Sequence, residues 1–294
     1  MAQQAIPWEM KLCNACGIPI HVHVLLLLYL VIELAHAEAG QVPRAGHLPD
    51  YGKVGLIALS CFLGFLVLFG TVLIHELGHC AGAKVVGGKV HRILLWPLGG
   101  LAFCGSGGGG PLADLAVTLA GPLTHLPMFF FWQALHVRAQ RATPELLGST
   151  LGPALVAACA TAMRLQIVLA AFNLLVPVYP LDCSKVLESL CRLIGLSATG
   201  AAGVICTLSV ACIIVLACAM MGYVHLPTSM TFHYSTMNLL MLGWLGLQTG
   251  RLASHIYEQR IRHHPLFAAS PGGPPSPEAS PQEAQALRQR SRDA

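Results

Sequence analysis

Six stretches of the chain are nearly unbroken apolar runs, separated by short segments where Pro, Gly and charge collect. They cover Ile18 to about Ala35, Val54 to about Val86, about Leu112 to Leu135, about Leu151 to Val176, about Thr199 to Met221, and Met230 to Leu247. Runs of about 20 apolar residues are long enough to cross a bilayer as α-helix. The pattern predicts an all-α polytopic membrane protein of about six transmembrane helices. Two interruptions stand out. Residues 36–52 form a polar loop with Pro43 and Pro49, and glycines crowd the stretch from Gly99 to Gly110. Glycine breaks helices and lets backbones approach closely. Arg92-Ile93-Leu94-Leu95-Trp96, just before the glycines, reads as a short extended segment near the membrane. The later glycine cluster has no G-K-[ST] to make it a phosphate cradle, and a flexible linker is its plain reading. The chain divides into an N-terminal segment, 1–17, a membrane domain, 18–250, with a core at about 54–190, and a C-terminal segment, 251–294. From about residue 265, Pro, Ser, Gln and Arg predict disorder.

Composition agrees with this class. Of 294 residues, 55% are hydrophobic and 10% charged, and the mean hydropathy is +0.65. Soluble domains carry about 25% charged residues, so this chain cannot coat a water-facing surface. The net charge of +4 is small and argues against nucleic-acid binding. Of the eleven cysteines, Cys61, Cys159, Cys206, Cys212 and Cys218 lie within apolar runs and read as small hydrophobes, not as a disulfide framework. Cys13 and Cys16 form a lone C-x-x-C, read as incidental. Residues 1–17 lack the basic n-region and cleavage site of a signal peptide. His21 and His23 read as an interfacial start to the first span.

The chemistry concentrates at His75-Glu76-Leu77-Gly78-His79. Positions i and i+4 share a helix face, so both histidines can ligate one zinc ion, and Glu76 lies beside the metal's open position as general base. A third ligand is offered by Asp182, after Pro177-Val178-Tyr179-Pro180-Leu181; the alternative reading is a helix N-cap. The spans ending at His79 and before Asp182 are the second and fourth crossings and run the same way, so both residues emerge on one face. Lys11, Lys84, Lys89, Arg92, Lys185, Arg192, Arg251, Arg260 and Arg262 fall on that face, against Arg44, Lys53, Arg138 and Arg141 on the other. The positive-inside rule then puts the site near the cytosolic, or stromal or matrix, side.

These motifs resemble the site-2 protease family of intramembrane zinc metalloproteases. The resemblance rests on Gly17-Ile18-Pro19-Ile20 with His23, the H-E-L-G-H motif, Gly99-Gly100, Ala120-Gly121-Pro122-Leu123, and Pro177 to Asp182. It implies one zinc ion held by His75, His79 and Asp182, with Glu76 as general base and Asn173 assisting catalysis. It also implies that a transmembrane protein substrate, drawn from the lipid bilayer, adds as a strand to a short re-entrant extended segment around Trp96–Phe103. Gly99, Gly100 and His125 are then candidates for substrate binding. The chain departs from the family pattern at three places: Asn173 lies one residue further from the proline, Cys183 replaces a glycine, and His125 replaces an asparagine. Two rival readings are an inactive homologue that acts as a membrane scaffold and a metal transporter.

Overall fold

The computed structural model describes residues 8–39, 51–142, 148–224 and 236–261, with 264, 266 and 267. Helices dominate, yet a small sheet opens the chain. Strand β1 (Glu9–Ala15) turns through Cys16 and Gly17 into β2 (Ile18–His23). Both turn residues have positive φ, 51° and 77°, the twist that a two-residue connection between antiparallel strands requires. β2 pairs in parallel with β3 (Lys89–Trp96), placing Ile20 beside Ile93 and Val22 beside Leu95. β4 (Gly99–Gly105) completes the order β1-β2-β3-β4 and forms one edge.

The sheet corrects two expectations. The protein is mostly helical, not all-α, and His21 lies within a strand, while His23 ends that strand and accepts from Leu25 N–H at 3.2 Å at the start of α1. The buried Ile18, Ile20 and Val22 alternate with more exposed neighbours, a strand period of two carried by Ile-Pro-Ile-His-Val-His before the leucine run begins. The segment 92–96, expected to be extended, is part of β3. Arg92, counted above as a loop cation, is instead buried: its Nη1 lies 3.2 Å from Glu9 Oε1, and its guanidinium sits 4.5 Å from the Phe103 ring centre.

The helices are α1 (Val24–Ala39), α2 (Tyr51–Val85), α3 (Gly110–Leu123), α4 (His125–Ala142), α5 (Gly148–Leu175), α6 (Asp182–Leu193), α7 (Ala198–Met220) and α8 (Thr236–Tyr257). Among the described residues, four stretches are long and apolar enough to cross a membrane: Ala58–Val85, Gly110–Arg141, Ala154–Leu175 and Ala198–Met220. The expected six is not matched. β2 takes residues from the first apolar run, which leaves the shorter Val24–Ala35, and the sixth run begins outside the described residues. The third run is two helices, α3 and α4, meeting at Thr124 just after Pro122. Leu63, Leu66, Phe130, Phe131 and Ile214 point outward from these stretches, as lipid-facing residues do.

Two units divide the chain. The first comprises Met1–Leu77, His91–Phe103 and Thr124–Ile167; the second comprises Gly78–Val90, Cys104–Leu123 and Val168–Ala294. In the second, α3 packs on α6, α6 on α7, and α7 on α8. Its core contains Ala202, Ile205, Leu252 and Ile261, against which Tyr179, Leu266 and Phe267 pack. Leu266 and Phe267 are therefore ordered by contact with this core, and the rest of the tail expected to be disordered lies outside the described residues. The glycine-rich segment after β4 is likewise a built turn. Gly88 passes so close to Gly105 O that a Cβ would lie 1.9 Å from it, and Ser106 Oγ donates to Asp114 Oδ1 at 2.5 Å on α3. None of the eleven cysteines is in a disulfide.

Candidate metal centre

Helix α2 carries His75, Glu76 and His79 within its last three turns, and all three are buried. The third residue arrives from a loop. Between α5 and α6 the backbone leaves regular structure, so its polar groups need other partners. Val178 N–H donates to Val176 O and Leu181 N–H to Val178 O, each at 2.8 Å. The fully buried Ser209 hydroxyl on α7 does the rest. It accepts from Tyr179 N–H at 3.2 Å and donates to Pro177 O at 3.1 Å.

This loop delivers Asp182 to His79. Leu181 caps α6 and no side chain supplies a cap bond, so Asp182 is not the N-cap. Its Oδ2 lies 3.2 Å from His79 Nε2, and its Oδ1 accepts from Lys185 Nζ at 3.1 Å. His79 Nδ1 is 2.9 Å from Val117 O on α3. A carbonyl can only accept, so Nδ1 carries the proton and Nε2 is the nitrogen turned to the carboxylate. A ring nitrogen and a carboxylate oxygen facing each other at this distance share a cation, either a proton or a metal ion. Two ligands about 2.0–2.1 Å from a tetrahedral zinc lie about 3.3 Å apart, which fits the observed separation. Gly121 makes room for the ring, since a Cβ there would lie 2.4 Å from His79 Nε2.

With His75 one turn earlier on the same helix, ligand atoms of His75, His79 and Asp182 lie within 4.8 Å of one another. This group of two imidazoles and one carboxylate could hold a metal ion, and its donor chemistry fits zinc.

The remaining candidates are distributed unevenly. Glu76 lies against β4 at Gly100, where a Cβ would meet Glu76 Cγ at 2.4 Å and Oε1 at 2.7 Å. Gly99, with φ of 137°, has open space where a Cβ would be. His125 is brought to His75, its Nε2 lying 3.2 Å from His75 Nδ1. Asn173 is turned onto its own helix and donates from Nδ2 to Leu169 O at 3.1 Å. Burial, with the neighbouring Cys212 and Asp182, pushes the Cys183 thiol up, which keeps it protonated. Behind Asp182 on α6, Arg192 Nη1 bridges Glu188 Oε1 at 3.3 Å and Asp114 Oδ2 at 2.9 Å, tying α6 to α3. Burial raises the Glu188 carboxyl, and Arg192 opposes that shift.

Comparison with known proteins agrees with this geometry. Over 185 residues, 62% of this chain and 45% of the relative, the sequence is 28% identical to a zinc metalloprotease of Methanocaldococcus jannaschii. Over 125 residues, 42% of this chain and 38% of the relative, it is 35% identical to the stage IV sporulation protein FB of Bacillus subtilis. These similarities support the resemblance to the site-2 protease family. Its fold matches the solved site-2 protease from Methanocaldococcus jannaschii with a TM-score of 0.53, at 21% identity, covering 84% of this chain and 95% of that one. No protein-family model matches. The chain spans less than half the length of the curated relatives it matches. Four long apolar helices and these relatives support an integral membrane protein.

Some residues that shape the site went unread in the sequence: Thr71, Val117, Gln166, Lys185 and Ser209. Gln166 had a signal. An amide within an apolar membrane-length run is costly without partners, and that cost alone marks it for a polar contact. Val117 acts through its carbonyl, which no side-chain pattern can announce.

Proposed function

We propose that the protein is an intramembrane zinc metalloprotease that hydrolyses peptide bonds within or next to transmembrane segments of membrane-protein substrates. The observation that carries this reading is the buried His75, His79 and Asp182 group, in which His79 has Nδ1 on Val117 O and Nε2 3.2 Å from a carboxylate oxygen. The relatives named as zinc metalloproteases support the same metal. His75, His79 and Asp182 would hold one zinc ion per chain, which when bound supplies Lewis acidity toward a peptide carbonyl and acidifies water.

The chain's own residues do the rest. Glu76 takes the proton of the attacking water on its carboxylate and returns it to the leaving amine. β4 lies at the edge of the sheet, so an unwound substrate can add to it as a further strand, its backbone groups paired rather than bare in the membrane. Gly99 and Gly100 let that strand run close to Glu76. Asn173 stands on α5 as the candidate for holding the substrate backbone, which requires it to leave Leu169 O. The positive-inside rule places this end toward the cytosol or its equivalent.

The test is zinc content together with cleavage of a transmembrane reporter in wild type, Glu76→Gln and Asp182→Ala. About one zinc per chain is expected in wild type and Glu76→Gln. Cleavage is lost in both variants, by about a hundredfold or more for Glu76→Gln, and zinc is lost in Asp182→Ala. Undiminished cleavage by Glu76→Gln would overturn the mechanism. Zinc transport across vesicles without proteolysis would favour a transporter, and zinc binding without cleavage a scaffold.

A further inference from the structure

A chain of four polar side chains, buried in the apolar interior, begins at a metal-site histidine. His75 Nδ1 lies 3.2 Å from His125 Nε2, and the two rings are tilted at 44° with centres 5.2 Å apart. His125 Nδ1 lies 2.8 Å from Gln166 Oε1, and Gln166 Nε2 donates to Thr71 Oγ1 at 3.1 Å. Thr71, His125 and Gln166 are each no more than 3% exposed, and they come from α2, α4 and α5. Groups of this kind are expensive away from water unless each has a partner, so their meeting asks for a reason.

We infer that Gln166, anchored by Thr71 and acting through His125, is a positioning residue that sets the tautomer in which His75 can ligate metal. The direction of the chain follows atom by atom. Gln166 donates its amide to Thr71, so it turns its carbonyl oxygen to His125. A carbonyl oxygen can only accept, so His125 Nδ1 carries the proton. A neutral imidazole then has its lone pair on Nε2, which accepts from His75 Nδ1–H. The lone pair of His75 is left on Nε2, the nitrogen on the far side of the ring. Turning the Gln166 amide around would reverse every bond in the chain and put a proton on His75 Nε2, closing it to metal. His79 reaches the same tautomer by a shorter route, through Val117 O. One ligand is set by a backbone carbonyl. The other is set by a side-chain relay in which His125 has a structural place of its own.

This inference rests on the zinc reading above, and the experiment separates the two. Isotope-labelled imidazole NMR of the zinc-loaded protein should show His125 as the Nδ1–H tautomer and His75 with Nδ1–H. Zinc affinity, measured by competition with a chelator, should fall by about 10–100-fold in Gln166→Met, the usual effect of losing such an outer partner. Thr71→Val should weaken zinc in the same direction, while Thr71→Ser, which keeps the hydroxyl, should restore wild-type affinity. The Thr71 pair decides the matter if Gln166→Met does not fold, because a role in packing alone would not separate valine from serine in this way. An Nε2–H tautomer on His125, or wild-type zinc affinity in folded Gln166→Met and Thr71→Val, overturns the relay and leaves the zinc site intact. A wild-type protein that binds no zinc overturns both.

Discussion

The Gly121 backbone lies against the imidazole of His79 so closely that a Cβ would sit 2.4 Å from both Cε1 and Nε2. No glycine elsewhere could substitute for this one, because α3 also supplies the Val117 carbonyl that fixes the same ring. Gly121→Ala therefore pushes His79 off Val117 O. Zinc affinity should fall by about tenfold or more, in the range seen when an orienting partner of a ligand is lost. Chelator competition on the purified variant reads this directly, and unchanged affinity would show that the ring has room to spare.

Gly100 predicts the opposite pattern. Its missing Cβ makes room for the Glu76 side chain, whose three atoms are the nearest to that space, and which is flexible and can shift. Gly100→Ala should keep its zinc and lose turnover, as the carboxylate is displaced by the new methyl. Metal content and reporter cleavage measured on one preparation distinguish the two glycines.

Ser209 links a membrane-spanning helix to the loop bearing Asp182. Replacing it with alanine leaves Tyr179 N–H and Pro177 O without that hydroxyl in a buried place. The cost should be about 1–3 kcal/mol of stability, the usual penalty for stranding buried polar groups. Thermal unfolding in detergent would show the loss, with weaker zinc binding as its companion because the loop holds a ligand.

His264 gives a pH dependence. Its ring packs between Tyr179, His255 and Phe267, and its Nδ1 accepts from Leu266 N–H at 3.3 Å. Burial, reinforced by His255, lowers its pKa to about 4. An unfolded histidine titrates near 6.5, so the folded segment is favoured fully above about pH 6.5 and loses that advantage as pH falls toward 4. Hydrogen exchange at the Leu266 and Phe267 amides, corrected for intrinsic rates, should rise over that window. In His264→Phe the rise should vanish.

Much of this was legible in the chain itself. Period and length announced the membrane helices, and the spacing of His75 and His79 announced a metal face, because both depend only on local helix geometry. Asp182 could be proposed because prolines before it forbid a continuous helix. The count of six spans is not matched among the described residues, because β2 takes residues from the first apolar run and the sixth run begins outside them.

Tertiary structure alone decided who touches the histidines. Glycine at 121 could have marked a turn, a kink or a close approach; only the fold shows the His79 ring in the space a side chain would fill. His125, Gln166 and Thr71 lie up to 95 positions apart, and their hydrogen bonds exist because three helices bring them together, not because any spacing requires it. Sequence determines which groups must find partners in an apolar medium. The packing determines which partners they find, since a hydrogen bond is directional and specific to about an ångström while the hydrophobic pattern that folds the chain is neither.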